Sequence, residues 1–339
     1  MLTSPDLELR MNPAEVVDVV IVGGGPAGQS AALLLGRSRR RVTVVDAGAR
    51  EIESESGSEG ISGHEGSVAG HSRRAGCRQL RNFKTVSYLR ATVEDVERSR
   101  IGFTVHCGDG TTLTTRTLLL ASDVVAPTPA ITGAEQFYGS TLHQCPHCDG
   151  WEHRGRTIGA LGADEAAVDL ALKLLQWSPR VTLFANGGMI GTTCLKRLEK
   201  GRIQVVPGKV SALEGQDGNL ERLRIGKTSS HPCEALFFAA PRKYHSSLAA
   251  RLGCDLERMP GAVYWRPDGD GVIQGLFVAG SDLNPREIPV MAASEGLKAA
   301  KSACAWLVEA DQSARATTAV ASCTQVLRGP GVSRRMAIR

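Results

Sequence analysis

Val16-Val17-Asp18-Val19-Val20-Ile21-Val22 leads straight into Gly23-Gly24-Gly25-Pro26-Ala27-Gly28. The first seven residues are a β-branched run with one interruption, the continuous apolar pattern of a strand buried on both faces. Gln29 to Gly36, rich in Ala and Leu, reads as a helix, and Arg41 to Val45 as a second strand ending in Asp46. Strand, glycine turn, helix, strand and acid make the first βαβ unit of a dinucleotide-binding fold. Gly23 permits the tight turn and Gly25 lets backbone approach a pyrophosphate. Gly28 lets the helix pack close to the strand, so that its N-terminal N–H groups face the phosphates. Asp46 lies 18 residues beyond Gly28, where a carboxylate can accept hydrogen bonds from ribose hydroxyls. The glycine pattern alone is a weak signal, which a purely structural turn would share. With strand, helix and acid in register it reads as a dinucleotide site built on Gly23, Gly25, Pro26, Ala27, Gly28 and Asp46.

Downstream, residues 48–80 carry many Gly, Ser and charged residues, a surface excursion with one helix near its end. Strands are expected at 85–93, 101–107 and 112–121, and Pro127 and Pro129 then mark a crossover. The pattern restarts at 156, with Thr157 to Leu161 as strand, Asp164 to Gln176 as helix and Val181 to Phe184 as strand. This second βαβ unit makes the chain an internal duplication. A strand at Ala235 to Ala240 follows, then a short one within Gly275 to Gly280 that feeds a helix from Pro289 to about Glu309. Residues 1–15 read as a loose extension and 311–339 as a flexible tail, the latter with five Arg against one Asp.

Composition narrows the function classes. The 339 residues are 42% hydrophobic and 22% charged, a globular balance with room for two domains. A surplus of +5, spread thinly and never interleaved with aromatics, leaves no footprint for nucleic acid. No apolar run approaches the roughly 20 residues that span a bilayer, so no membrane partner is expected. The N-terminus lacks a secretory signal core. Nine cysteines in so long a chain are no disulfide scaffold, and seven are scattered like reduced thiols, which points to the cytoplasm.

The remaining two stand in Cys145-Pro146-His147-Cys148-Asp149-Gly150. Two cysteines three apart on a turn entering a helix can close a small disulfide ring. There the helix dipole, nearby N–H groups and His147 favour the first thiolate. A stabilised dithiol makes its disulfide a stronger oxidant, so the pair leans toward taking electrons from thiols. Zinc is the competing reading, because His143 and His153 flank the pair, although no second Cys pair exists; an inert pair is a third. No metal is expected. Asp149, beside the second thiol, is an acid/base candidate or a helix cap.

The glycine turn, the Cys145–Cys148 motif with Asp149-Gly150, and Ala279-Gly280 followed by Ala292-Ala293-Ser294-Glu295-Gly296 resemble the low-molecular-weight thioredoxin reductase family, over about residues 16–310. His143-Gln144-Cys145-Pro146-His147-Cys148-Asp149-Gly150-Trp151-Glu152 is most similar to the branch of dithiol oxidases that close disulfides in natural products such as gliotoxin and holomycin. The resemblance implies an α/β fold of two Rossmann-like domains. An FAD domain in two segments (16–127 and 242–310) would be split by an inserted NAD(P)-like domain (128–241) bearing the Cys pair, and the chain would form a homodimer. Gly275 to Asp282 resembles a second flavin fingerprint, with Ser281 in the slot of the usual Asp and Asp282 one later; Asp123 stands where the family has Gly. Cofactor-binding candidates thus extend to Arg50, His64, Val93, Gly280, Ser281, Asp282 and Ile288.

In the second unit the turn reads Ile158-Gly159-Ala160-Leu161-Gly162-Ala163-Asp164, and only Gly162 keeps a family glycine. Phe184-Ala185-Asn186-Gly187-Gly188-Met189 offers neither a cation for a 2′-phosphate nor an acid for a ribose. The expected activity is therefore an FAD-dependent dithiol oxidase. A small-molecule dithiol would attack Cys145, Cys148 would pass two electrons to FAD, and O2 would leave as hydrogen peroxide, with His147 or Asp149 managing protons. The alternatives are an NAD(P)H-dependent disulfide reductase acting on a thioredoxin-like protein, and a non-catalytic binding module.

Overall fold

A computed structural model describes residues 15–48, 62–63, 65–66, 69–122, 128–239, 248–253, 273–280 and 288–327. The chain opens with β1 (Val17–Val22), α1 (Pro26–Arg37) and β2 (Val42–Val45). Next come α2 (Ala69–Leu80), β3 (Val86–Leu89), β4 (Val93–Arg98), β5 (Phe103–Cys107) and β6 (Thr112–Leu120). β1 pairs in parallel with β2 and with β6, as the βαβ pattern requires. The expected strand at 85–93 is β3, which extends the parallel side beside β2 and stops at Leu89; β4, which no expectation named, begins at Val93 and turns back antiparallel to β5.

A second group follows: α3 (Ala134–Phe137), β7 (Leu142–His143), α4 (Pro146–Asp149), β8 (Ile158–Leu161), α5 (Glu165–Leu174) and β9 (Val181–Phe184). It continues with α6 (Thr192–Lys200), β10 (Gln204–Val206), β11 (Val210–Gln216), β12 (Asn219–Ile225), β13 (Ser229–Pro232) and β14 (Ala235–Phe238). Its strands form a parallel five-stranded sheet in the order β10-β9-β8-β14-β7, and β11-β12-β13 make a separate antiparallel sheet. The expectation named no elements between 185 and 234.

After α7 (Leu248–Arg251), the chain returns to the first sheet with β15 (Leu276–Val278) and α8 (Pro289–Leu327). β6 is the pivot of that sheet. Its first half pairs antiparallel with β5 and its last three residues pair parallel with β15. Val19 and Ile21 of β1 face Ala31 and Leu35 of α1 and Ala299, Ala303 and Leu307 of α8. Val20 and Val22 face Phe103, Val105, Leu118 and Leu120 on the other side. A strand covered on both faces explains the unbroken apolar run.

α8 corrects one expectation. The segment from 311 is not a loose tail at its start, because the helix continues to Leu327. Asp311 bonds Arg40 at 2.9 Å and Arg116 at 2.6 Å, and Arg116 also reaches Asp18 at 3.1 Å. These pairs tie α8 to the end of the sheet where β1 begins.

Candidate active site

The glycine turn is as tight as its sequence implies. A Cβ on Gly23, whose φ is +105°, would lie 2.1 Å from the Ala121 carbonyl oxygen, and one on Gly28 would lie 1.9 Å from the Gly23 oxygen. Both positions admit glycine alone. Gly25 differs, because a Cβ there would meet nothing within 4 Å among the described residues. Gly25 caps α1 without a side-chain hydrogen bond, no acid occupies the first turn, and Pro26 opens the helix. The α1 N-terminus therefore presents amides to open space beside an uncovered backbone, the cradle a pyrophosphate requires. From the other end of the chain Gly280 packs on Ala27, and its N–H donates to Glu295 at 2.8 Å. Gly296 in α8 closes on the Ala27 carbonyl, where a Cβ would come within 2.0 Å.

Asp46 is buried beneath this turn and accepts hydrogen bonds from Arg73 and Tyr88. Gly24 lies directly on the Asp46 carboxyl and the Tyr88 hydroxyl. Burial first, and then the carboxylate, push the Tyr88 phenol well above its ordinary pKa. Arg73 and Tyr88 were missed in the sequence because they come from α2 and β3 and leave no local pattern. Val93 opens β4 and packs its side chain on the core, so only its backbone is available to a ligand. Ile288 supplies the carbonyl that receives the Met291 and Ala292 amides at the start of α8. Arg50, His64, Asp123, Ser281 and Asp282 lie outside the described residues.

Cys145 and Cys148 are joined by a disulfide, with Cα atoms 5.3 Å apart. Cys145 is the N-cap of α4, and the Cys148 amide donates to its sulfur at 3.2 Å. α4 has only four residues, so this local amide, rather than a long-helix dipole, is what favours a thiolate at Cys145. His147 is exposed and turns its ring edge toward Trp177. The proton-handling group with the better geometry is Asp149, whose Oδ1 lies 3.2 Å from Nδ1 of His143. His143 is buried at the end of β7, and its Nε2 meets Nε2 of buried His153 at 2.9 Å. Burial above all, then the electrostatic influence of His143 and Arg156, hold His153 down at about 4. The two imidazoles that suggested zinc thus face each other and a carboxylate, while the two sulfurs are bonded together.

The second βαβ unit keeps the strand–helix–strand order without the open crevice. A Cβ on Gly188, in the loop after β9, would lie 2.5 Å from the Ala163 methyl, so this loop packs onto the turn after β8. Asn186 accepts the Val210 amide and Gly187 donates to Gly208, which turns that loop toward β11. One α5 N-terminal amide, that of Ala167, is already taken by Asp164.

A family model described as pyridine nucleotide-disulphide oxidoreductase matches residues 17–295. Similar proteins include thioredoxin reductase tcpT of Claviceps purpurea, 27% identical over 295 residues, which covers 80% of this chain and 88% of that one. Thioredoxin reductase sirT of Leptosphaeria maculans is 24% identical, covering 88% and 97%. Among solved structures, HlmI is 29% identical with a TM-score of 0.82 over 91% of this chain and 98% of its own. The oxidoreductase from Agrobacterium tumefaciens is 28% identical with a TM-score of 0.77, covering 87% and 99%. Among the described residues no helix is long and apolar enough to cross a membrane.

Proposed function

This chain belongs to the pyridine nucleotide-disulphide oxidoreductase family, and from that premise we propose that it is an FAD-dependent dithiol oxidase acting on a small-molecule dithiol. The observation that carries this reading is the contrast between its two dinucleotide units. The first has an open glycine cradle at Gly25 and α1. In the second, Gly188 sits against Ala163 where a nicotinamide dinucleotide would need room, and Ala185 to Met189 supply no cation. Electrons therefore enter through the Cys pair.

A substrate thiolate attacks the sulfur of Cys145, whose bond to Cys148 breaks. The second substrate thiolate then displaces Cys145, and the product disulfide leaves behind a reduced Cys pair. Asp149, backed by His143, takes up the proton that a substrate thiol must lose. Gly23, Gly25, Gly28, Asp46 and Gly280 would hold FAD, with Cys148 toward it. When bound, FAD carries the electron pair from the Cys pair to O2, releasing hydrogen peroxide. The homodimer and the cytoplasmic setting belong to the same reading.

Anaerobic mixing tests it. The purified flavin-loaded protein should bleach with a dithiol such as dithiothreitol, and dithiol turnover in air should consume O2. Rapid bleaching by NADPH or NADH would instead establish a reductase, and a protein that cannot be loaded with flavin would establish a binding module.

A further inference from the structure

We propose that His153 is a positioning residue for the redox pair: an amphoteric imidazole that lets the buried Asp149–His143 couple gain and lose one proton each time the Cys145–Cys148 bond opens and closes. The proposal rests on the Cys pair being the working site, as set out above. His143 Nε2 stands 2.9 Å from the Ser140 carbonyl oxygen and 2.9 Å from His153 Nε2, while His143 Nδ1 faces Asp149. A carbonyl only accepts, and two facing ring nitrogens need one proton between them.

Two arrangements place one proton between the facing rings, and only the second also gives the Ser140 carbonyl a donor. In the first, His143 donates from Nδ1 to the Asp149 carboxylate, and its bare Nε2 accepts the His153 Nε2–H. In the second, one proton richer, His143 donates from Nδ1 to Asp149 and from Nε2 to the Ser140 carbonyl and to a bare His153 Nε2, and the His153 proton moves to Nδ1. That Nδ1 is buried without a hydrogen-bond partner among the described residues. It is the atom left over in either arrangement, and it can be bare or protonated as the couple demands. Phe237 packs against both rings, at 5.4 and 6.1 Å between centroids. Burial, the largest cause, then His143 and Arg156 disfavour a proton on His153, while Asp149 and Glu234 favour one; burial prevails and keeps it neutral at ordinary pH. Thus His153 passes polarity without keeping charge.

The chemistry balances. A substrate dithiol gives up two protons and two electrons and gains one S–S bond, while the Cys145–Cys148 bond is reduced to one thiol and one thiolate. One proton ends on Cys145 and the other on the Asp149–His143 couple. Both would leave with the electron pair on reoxidation of the Cys pair, for which bound FAD would supply the electron acceptor and O2 the final oxidant.

The test is the rate at which dithiothreitol opens the disulfide in the flavin-loaded protein without O2, trapped by alkylation between pH 5 and 9. The ratio of variant to wild-type rates cancels the ionisation of dithiothreitol itself. His153→Phe leaves the bare Nε2 of the first arrangement facing the Ser140 carbonyl, which favours the extra proton. The inflection of the couple should rise by on the order of one pH unit, so the ratio should be near one in alkali and drop to about a tenth below the inflection. His153→Gln, which keeps a donor and an acceptor, should restore the wild-type profile. A pH-independent ratio for His153→Phe, or a Gln variant as impaired as Phe, overturns the proposal. If the Phe variant does not fold, nitrogen-15 NMR of wild-type histidines decides. The His153 proton should move from Nε2 to Nδ1 when dithiothreitol opens the bond, and an unchanged tautomer overturns it. Neither readout needs O2 or nicotinamide, so its failure is separable from failure of the oxidase assignment.

Discussion

Replacing Gly25 and Gly28 separately by alanine should split binding from folding. At Gly28 the new methyl would sit 1.9 Å from the Gly23 carbonyl oxygen and 3.4 Å from Ile21. Backbone must then move by roughly 1.5 Å to reach ordinary contact, an overpacking that costs about 1–3 kcal/mol or more. For a unit of this size that is a melting-temperature loss of roughly 2–4 °C per kcal/mol. At Gly25 the methyl meets nothing, and its φ of −74° suits alanine. The cost there is only the weaker N-cap, of the order of a few tenths to 1 kcal/mol. Its effect should fall on the ligand, because the methyl occupies the space through which a pyrophosphate reaches the α1 amides. Melting followed by scanning calorimetry, with flavin content from absorbance after gel filtration, measures both. Compared as flavin-free proteins, Gly25→Ala should melt within about 4 °C of wild type and fail to retain flavin, whereas Gly28→Ala should lose both. A Gly25→Ala protein that retains a full complement of flavin would refute the cradle, and a Gly28→Ala protein of wild-type stability would refute the packing.

Cys148→Ser should stop dithiol turnover, read as O2 uptake, while leaving flavin bound; persistent turnover contradicts its role. Asp149→Asn should slow disulfide opening by dithiothreitol by about 10²–10⁴-fold, the usual span for a lost acid/base group, with little change in melting. Asp311→Ala should lower the melting temperature by no more than a few degrees at pH 7, since a half-exposed ion pair is worth about 0.2–1 kcal/mol. The hydrogen bond from Arg40, and then Arg116, holds the Asp311 carboxyl below the ordinary carboxylate range. Its stabilisation is thus present above about pH 4 and is lost as pH falls through the lower folded value. The two melting curves should therefore draw together as pH falls below about 4, and a gap that does not shrink would exclude the ion pair as its cause.

The first βαβ unit was legible because its signals are local. A both-sides-buried strand needs an unbroken apolar run, and the turn needs glycine at Gly23 and Gly28 for reasons visible within a few residues. The end of β3 at Leu89 and the separate β4 were not, since Arg90, Ala91 and Thr92 carry no turn chemistry and the break is imposed by pairing with β2 and β5. The end of α8 was misplaced because polarity was read as looseness. Ala, Arg and Gln sustain a helix without a buried face, and the first glycine after Glu309 is Gly329. At the site, the Cys pair and Asp149 announce themselves, and so does a cluster of histidines. That His143 would bond Asp149 and His153 depends on β7 meeting the turn after α4, which no spacing encodes. Arg73 and Tyr88 on Asp46 are equally long-range. Arg50, His64, Ser281 and Asp282, outside the described residues, stay as sequence expectations.

The first sheet is begun by Val17 and finished by β15 and α8, which follow β14 in the chain. During translation, β1, β2 and β6 must wait with the α1 face that Ala299, Ala303 and Leu307 will cover still wet, while the sheet from β7 to β14 has already emerged whole. The strands of the second sheet are thus complete in sequence before the elements that close the cradle. A chain cut between β14 and α8 carries both cysteines of the redox pair beside a half-built neighbour, and is marked for chaperones or proteolysis by that uncovered apolar face.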